Sequence, residues 1–446
     1  MFYNITMPEN NNVCSNANEG RAEVDAVLPL PKMMTLGLQH VLAMYAGAVA
    51  VPLMLSAAVG LSKTQTAFLI SADLFTCGIA TLLQTHGLGP RIGIRLPLMM
   101  GVTMVALGPM LAIAREQGLQ YVYGAIIISG IVATLCAGAF SRILRFFPEV
   151  VTGCVVTIVG VNLFPIAVQW AGGGQGAADY GSPGNLLLAT GTLALVTALT
   201  RWGGRFISSI AVLISLIAGS AVALFLGRMS LTGISTEPWL ALPVPFWFGP
   251  PKFHLTAVLN MLCVAAICMV ESTGVFFSMG KITHTQVSGK DVAAGLRAEG
   301  IASVIGGALN SFPYITFSQN LGLVALTGVK SRYVLFTGGL ILMFLGTLPK
   351  LAAVAASIPA PVLGGAALAL FGMVAGAGIK LLACVDYEKQ GNLFTVAVSL
   401  GLGIGINMAP QMFASYTPNI KHFIGNGLLV GSGAAIFLNW LFSERK

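Results

Sequence analysis

Four ionisable side chains stand inside long apolar runs of this 446-residue sequence: His40 in GLQHVLAMYAG, Asp73 in LISADLFTCG, Glu271 in CMVESTGVFF and Glu299 in AGLRAEGIASV. Burying such a group is costly unless it is paired or its ionisation is used. Glu271 is the sharpest case, because no basic residue lies near it in its run. A carboxylate there can accept two N–H donors from a ligand and can gain and lose a proton. Glu299 has Arg297 close by, so an interfacial ion pair competes with a functional role. His40 reads first as a structural hydrogen-bonding group, and Asp73 suits a helix contact and a proton route equally. A second constellation is SFPYITFSQNLGLVALTG. Gln319 presents an amide donor beside an acceptor, which matches a ring N–H next to a carbonyl on a purine or pyrimidine. Asn320 follows it, Ser318 precedes it, and Phe317 offers a flat face for stacking. By residue type alone, Gln319 and Asn320 fit equally well as groups that satisfy exposed backbone. The chain has no HExxH, no GxSxG, no His/Cys/Asp cluster with metal spacing and no GxxxxGK[ST]. Neither an enzyme, a metal or cofactor, nor hydrolysis of ATP is expected.

The elements that position these residues are membrane spans. Hydrophobic residues make up 56% of the chain and charged residues 9%, too few charges for a water-facing surface. Apolar stretches of spanning length occur at 33–57, 65–85, 96–113, 120–141, 149–169, 185–200 and 206–227, then at 254–279, 292–309, 312–329, 333–356, 361–379, 391–408 and 423–442. These are about fourteen segments, seven on each side of the polar stretch 228–252, as two inverted repeats would give. With both termini inside, seventeen of the 23 Lys and Arg residues fall on the cytoplasmic side and six outside, in accord with the positive-inside rule. The net charge of +8 is scattered between apolar runs and forms no nucleic-acid patch. Residues 1–30 lack a signal-peptide pattern and are expected to be a flexible cytoplasmic tail. The seven cysteines form no CxxC pair and read as packing residues.

Two spans in corresponding positions look broken. The third, RLPLMMGVTMVALGPM, has Pro97 and Gly101; the tenth has Pro313 and Gly322, with a β-branched and aromatic stretch from Tyr314 to Phe317. We expect both to be part extended and part helical near mid-membrane. Backbone of that kind must be buried or line a cavity, and half-helix starts add a positive dipole end suited to an anionic or electron-rich ligand.

The run SFPYITFSQNLGLVALTGVKSR resembles the signature of the nucleobase-ascorbate transporter family, through Gln319, Asn320, Gly322, Thr327 and Gly328. LGLQHVLAMYAGAVAVPLML, ISADLF, GIRLP and VESTG resemble its bacterial urate and xanthine permease branch. The resemblance implies an all-α fold of two inverted seven-span repeats with short strands in segments 3 and 10. It implies a core domain from 31–145 and 253–358 and a gate domain from 146–252 and 359–446. It implies that Glu271 and Gln319 bind a purine, that Asn320 supports the site, that Glu299 is tied to transport, that His40 shapes affinity and that Thr103 bears on substrate preference. Glu299 stands where relatives more often carry Asp, and Met104 where they carry an aromatic residue, which leaves Phe317 as the platform. Thr103 leans toward urate and Gly328 toward xanthine. The expectation is a purine:proton symporter of the inner membrane, a homodimer in the lipid bilayer working by elevator-like motion. An inorganic-anion or carboxylate carrier of the same architecture, or an ion channel, are the other readings.

Overall fold

The computed structural model describes residues 20–140, 148–174, 176–413, 415–416 and 424–442, and for Thr236, Gln319, Leu326 and Pro410 the backbone alone. Cys14, most of the amino-terminal tail, and Arg142, Arg145, Lys421, Arg445 and Lys446 from the charge distribution lie outside the described residues.

Local sequence sets the helix ends. Helix α1 (Leu30–Val59) starts behind Pro29 and stops where Gly60 turns left-handed at φ 70°. Helix α2 (Lys63–His86) begins with a capping box between Ser62 and Gln65. Strand β1 (Met100–Val102) leads through a 3-10 turn into α3 (Leu107–Glu116), followed by α4 (Leu119–Cys136) and α5 (Glu149–Ala171). Then come α6 (Pro183–Trp202), α7 (Arg205–Ser209), α8 (Ala211–Phe225) and α9 (Leu255–Thr283). Helix α10 (Gly289–Ala308) opens on a Ser288–Asp291 capping box and precedes strand β2 (Tyr314–Thr316) and α11 (Gln319–Thr327). The chain continues through α12 (Arg332–Gly346), α13 (Pro349–Ala356), α14 (Ala360–Leu382), α15 (Gln390–Met408) and α16 (Gly427–Phe442).

Among the described residues, eight helices are long and apolar enough to cross a bilayer, and nine if α12 and α13 count as one crossing. The chain is a mostly helical, multi-pass membrane protein. Helices α8 and α16 are apolar but shorter. The stretch 333–356, expected as one crossing, is bent by 79° between α12 and α13. Pro349 has no N–H to continue the first helix and is well suited to open the second. Helices pack closely where glycines face a neighbour's backbone: Gly160 of α5 meets Ala375 of α14, and Gly130 of α4 meets Gly300 of α10. A methyl group at either site would overlap the partner, so these contacts require the smallest residue.

Residues 20–26, expected to belong to a flexible tail, are docked instead. Val24 is fully buried, Glu23 pairs with Lys330 and Asp25 with Arg332, both at 2.6 Å, and Ser331 donates to the Ala26 carbonyl. The acidic residues of the tail complement the basic residues just after α11, and one apolar side chain anchors the contact.

Candidate functional site

Strands β1 and β2 form an antiparallel ribbon in register Met100–Thr316, Gly101–Ile315 and Val102–Tyr314. Its ends are extended by Thr103 N–H to the Pro313 carbonyl (3.1 Å) and Phe317 N–H to the Met99 carbonyl (2.8 Å). Two paired strands leave two outer edges, which lipid cannot satisfy. Helix side chains cover them. Thr81 of α2 accepts Met100 N–H at 3.0 Å, Ser303 of α10 accepts Tyr314 N–H at 3.0 Å, and Glu299 of α10 accepts Thr316 N–H at 3.0 Å.

Glu299 also accepts the Thr316 hydroxyl at 2.6 Å, on the same oxygen. The alternative pairing with Arg297 is not formed: that guanidinium donates to the Arg91 carbonyl at 3.2 Å. Residues two apart on a helix point in different directions, which accounts for the outcome. Asp73 of α2 is fully buried and accepts from Tyr314 Oη at 2.8 Å and Ser311 Oγ at 3.1 Å, with Cys77 Sγ 3.8 Å from its other oxygen. Both carboxylates are thus tied to the segment that carries β2.

Glu271 is placed differently. It is half-buried on α9, and it lines a cavity of about 840 Å³ together with Thr103, Met104, Phe317 and Ser318. No side chain or backbone group among the described residues bonds it, so its oxygens face the cavity. Thr103 accepts Val105 N–H at 3.2 Å and so caps the turn entering α3. The Cys268 thiol lies 3.5 Å from the same hydroxyl. Ser318 begins α11 without a side-chain cap, which leaves the positive end of that half-helix at the cavity wall. Phe317 lies against Gly47 of α1 and Gly101 of β1: a Cβ at these positions would sit 3.3 Å and 3.0 Å from its ring. The ring can occupy that position because both neighbours lack side chains.

His40 and Asn320 are buried at 3% and 2% exposure. The Nδ1 of His40 and both amide atoms of Asn320 have no hydrogen-bond partner among the described residues. His40, Met44 and Gly47 lie at i, i+4 and i+7, one face of α1, and Met44 and Gly47 both border Phe317 or Gly101. The Gln319 side chain lies outside the described residues; its backbone opens α11.

The sequence reading missed the ribbon's edge partners Thr81, Ser303 and Thr316, and the anchor pair Ser311 and Tyr314. Their only signal was polarity within apolar runs. Arg201, one of the 23 basic residues counted above for orientation, lines the Glu271 cavity together with Thr200, Ser208 and Ser209 from α6 and α7. Among the described residues no group of His, Cys, Asp and Glu is arranged to hold a metal ion.

Comparison with known proteins places this architecture. The fold is similar to the transmembrane domain of the cyanobacterial bicarbonate transporter BicA, with TM-score 0.52 and 17% identity, covering 90% of this chain and 97% of that one. It is also similar to murine Slc26a9, an anion transporter solved in the inward-facing state, with TM-score 0.66 and 12% identity, covering 99% of this chain and 74% of that one. In sequence, the chain is 47% identical to nucleobase transporter PlUacP of Paenibacillus larvae over 92% of this chain and 95% of that protein. It is 46% identical to uric acid permease PucK of Bacillus subtilis over 93% and 96% of the two chains, and 44% identical to the xanthine permease of the same organism over 92% and 94%. The profile described as "Permease family" matches residues 31–412. A ribbon buried between helices, a cavity alongside it and likeness along nearly the whole length lead to one assignment: the chain belongs to the Permease family, and it is a membrane transporter and not an enzyme.

Proposed function

We propose that this permease carries a purine, urate and/or xanthine, into the cell together with a proton. The observation that carries the reading is the free carboxylate of Glu271 in a cavity that also holds Phe317, Thr103 and Ser318. A xanthine-like ring has two N–H donors on one side, which two carboxylate oxygens can accept, and a flat face for Phe317. The volume suits a ligand of that size. Gln319, at the start of α11, reads the adjacent N–H and carbonyl edge, and His40 and Asn320 support the platform. Glu271, Glu299 and Asp73 are the groups available to exchange the coupled proton. The permeases named for uric acid, xanthine and nucleobases among the relatives support this substrate class.

Fourteen segments in two inverted repeats accommodate the helices and both ribbon strands, with both termini cytoplasmic in the inner membrane. Core (31–145 and 253–358) and gate (146–252 and 359–446) domains move against each other in an elevator-type cycle, and the gate domains form a homodimer. Likeness to a transporter solved facing inward supports that mechanism.

The test is uphill uptake of labelled xanthine and urate into liposomes holding purified protein, with and without a protonophore. Accumulation should vanish when the proton gradient collapses at constant sodium. Glu271→Gln keeps the size but cannot ionise, and should reconstitute normally yet lose accumulation. Uptake by Glu271→Gln at the unmodified rate would show that Glu271 is not the purine and proton ligand. Uptake of bicarbonate in place of purines would favour an anion carrier.

A further inference from the structure

A second cavity, of about 490 Å³, lies away from Glu271. The segment that begins at Thr103 in the first cavity reaches the second one at Gly108 to Gln117, and α9 contributes Thr256 and Asn260. Asn260 precedes Glu271 by eleven residues on α9, or about 16 Å along a helix. The opposite wall comes from Asn162 of α5, Asn407 of α15 and Asn426 beside α16.

Four asparagines around this cavity are oriented by their own structural bonds. Asn162 Nδ2 donates to the Gly403 carbonyl at 3.1 Å, so its Oδ1 is the free half. Asn407 Oδ1 accepts Gly427 N–H at 2.9 Å, which leaves Nδ2 free. Asn426 Oδ1 accepts the N–H groups of Leu428 and Leu429 at 3.0 and 3.2 Å, so its Nδ2 must donate to Asn260 Oδ1, at 2.9 Å. The Nδ2 of Asn260 is then free, although the residue is only 5% exposed. Because each assignment ends on a backbone group, no amide can be flipped without losing a bond. The result is one fixed acceptor, Asn162 Oδ1, and two fixed donors, Asn260 Nδ2 and Asn407 Nδ2, with Arg115 and Glu116 also bordering the space. Asn162 Oδ1 and Asn260 Nδ2 are not among the buried polar atoms lacking a partner, and Asn407 is exposed, so all three can be reached from the cavity they line.

We propose that this cavity is a second, weaker purine site, which holds the substrate through its carbonyls and one ring N–H. The inference rests on the purine reading above. An oxidised purine carries carbonyl acceptors flanking an N–H, the complement of two amide donors and one amide acceptor. Of the two charged residues on this wall, Glu116 has an interaction of its own and Arg115 donates to the Ala58 carbonyl, so the site offers neutral amides where the first cavity offers the open carboxylate of Glu271, and its affinity is lower. It serves to collect substrate on the side of the protein where α3 ends and α9 begins.

The experiment is equilibrium binding of labelled xanthine to purified full-length protein, up to the solubility limit. Unmodified protein should bind two equivalents, one of them weakly. Glu271→Gln should retain the weak equivalent alone. Asn407→Asp keeps the oxygen that Gly427 requires and replaces the free donor with an anionic acceptor. Added to Glu271→Gln, it should weaken the residual binding at least about tenfold. Asn260→Asp should do the same while preserving the bond from Asn426. Asn407 is exposed at the cavity, so its variant carries the test if Asn260→Asp fails to elute as a monodisperse species. Saturation of unmodified protein at one equivalent overturns the second site and leaves the Glu271 reading intact. Residual binding in Glu271→Gln that neither aspartate alters overturns it as well. If unmodified protein binds neither xanthine nor urate, both readings fall.

Discussion

Glu299 is the residue for which the structure makes the most specific demand. One oxygen of its carboxylate accepts both the backbone N–H and the hydroxyl of Thr316. Thr316 is 1% exposed and Glu299 is 4% exposed. Glu299→Ala removes the acceptor, strands the buried Thr316 N–H and leaves the Thr316 hydroxyl only the weak Met100 sulfur at 3.4 Å, at about 1–3 kcal/mol each. The sum is about 2–6 kcal/mol, large against the net stability of a folded protein. Glu299→Gln keeps an acceptor oxygen in the same place for both donors, so the loss should be small, about 1 kcal/mol. Thr316→Val in the alanine background removes the stranded hydroxyl but also the acceptor of Gln84 Nε2 at 3.4 Å, so it should recover only about 1 kcal/mol, a non-additivity that a double-mutant cycle reads directly. The assay is thermal unfolding of the four purified proteins, paired with xanthine binding. The expected order of stability is unmodified, Glu299→Gln, the double variant, then Glu299→Ala, with xanthine binding kept in the glutamine variant and lost in Glu299→Ala. Equal unfolding temperatures for Glu299→Ala and Glu299→Gln would refute the claim that Glu299 holds the ribbon edge.

Three further outcomes follow from the geometry. Gly47→Ala places a methyl group against the Phe317 ring, 3.3 Å from its edge, and should raise the KM for xanthine uptake severalfold with expression unchanged; an unaltered KM separates Phe317 from the substrate. Tyr314→Phe removes the 2.8 Å bond to Asp73 and should cost about 1.5–3 kcal/mol in thermal unfolding, whereas Asp73→Asn, which keeps an acceptor, should cost less; the reverse order would disprove the anchoring role. The hydrogen bond and charge of Lys330 hold the Glu23 carboxyl below its ordinary value of 4.5. The docking that Glu23 supports is therefore complete above that value and is lost as pH falls through the depressed one, so protease cleavage within residues 20–26 should accelerate only in acid or high salt.

The breaks in the third and tenth segments were legible because Pro97, Gly101 and Pro313 interrupt apolar runs, and β-branched and aromatic residues follow Pro313. What the breaks bond to was not legible. Glu299 reaches Thr316 across a turn of the chain, a contact that no helical period encodes. Its rejection of Arg297 was readable in principle, since an i, i+2 pair does not share a helix face. The bend at Pro349 was overlooked because hydrophobicity continues through it, and hydrophobicity reports solvent, not helix continuity. Arg201 sits at the carboxyl end of α6, where a basic residue also serves orientation and the helix dipole. Only the packing of α6 and α7 reveals that it borders the cavity. The docking of residues 20–26 depended on two acidic side chains meeting partners about 300 positions later, which spacing alone does not disclose.

The pairing of Met100 with Thr316 joins positions 216 apart in sequence. Neither half of the chain holds a complete ribbon, so during synthesis β1 enters the bilayer long before its partner exists. Thr81 can occupy one of its edges, but the other must wait, in a solvent that offers no hydrogen bonds. Assembly is therefore ordered: the ribbon closes only after residue 316 has left the ribosome. Non-local closure of this kind is slow. A chain interrupted anywhere before Thr316 would leave backbone groups of β1 without the partners that the finished ribbon supplies.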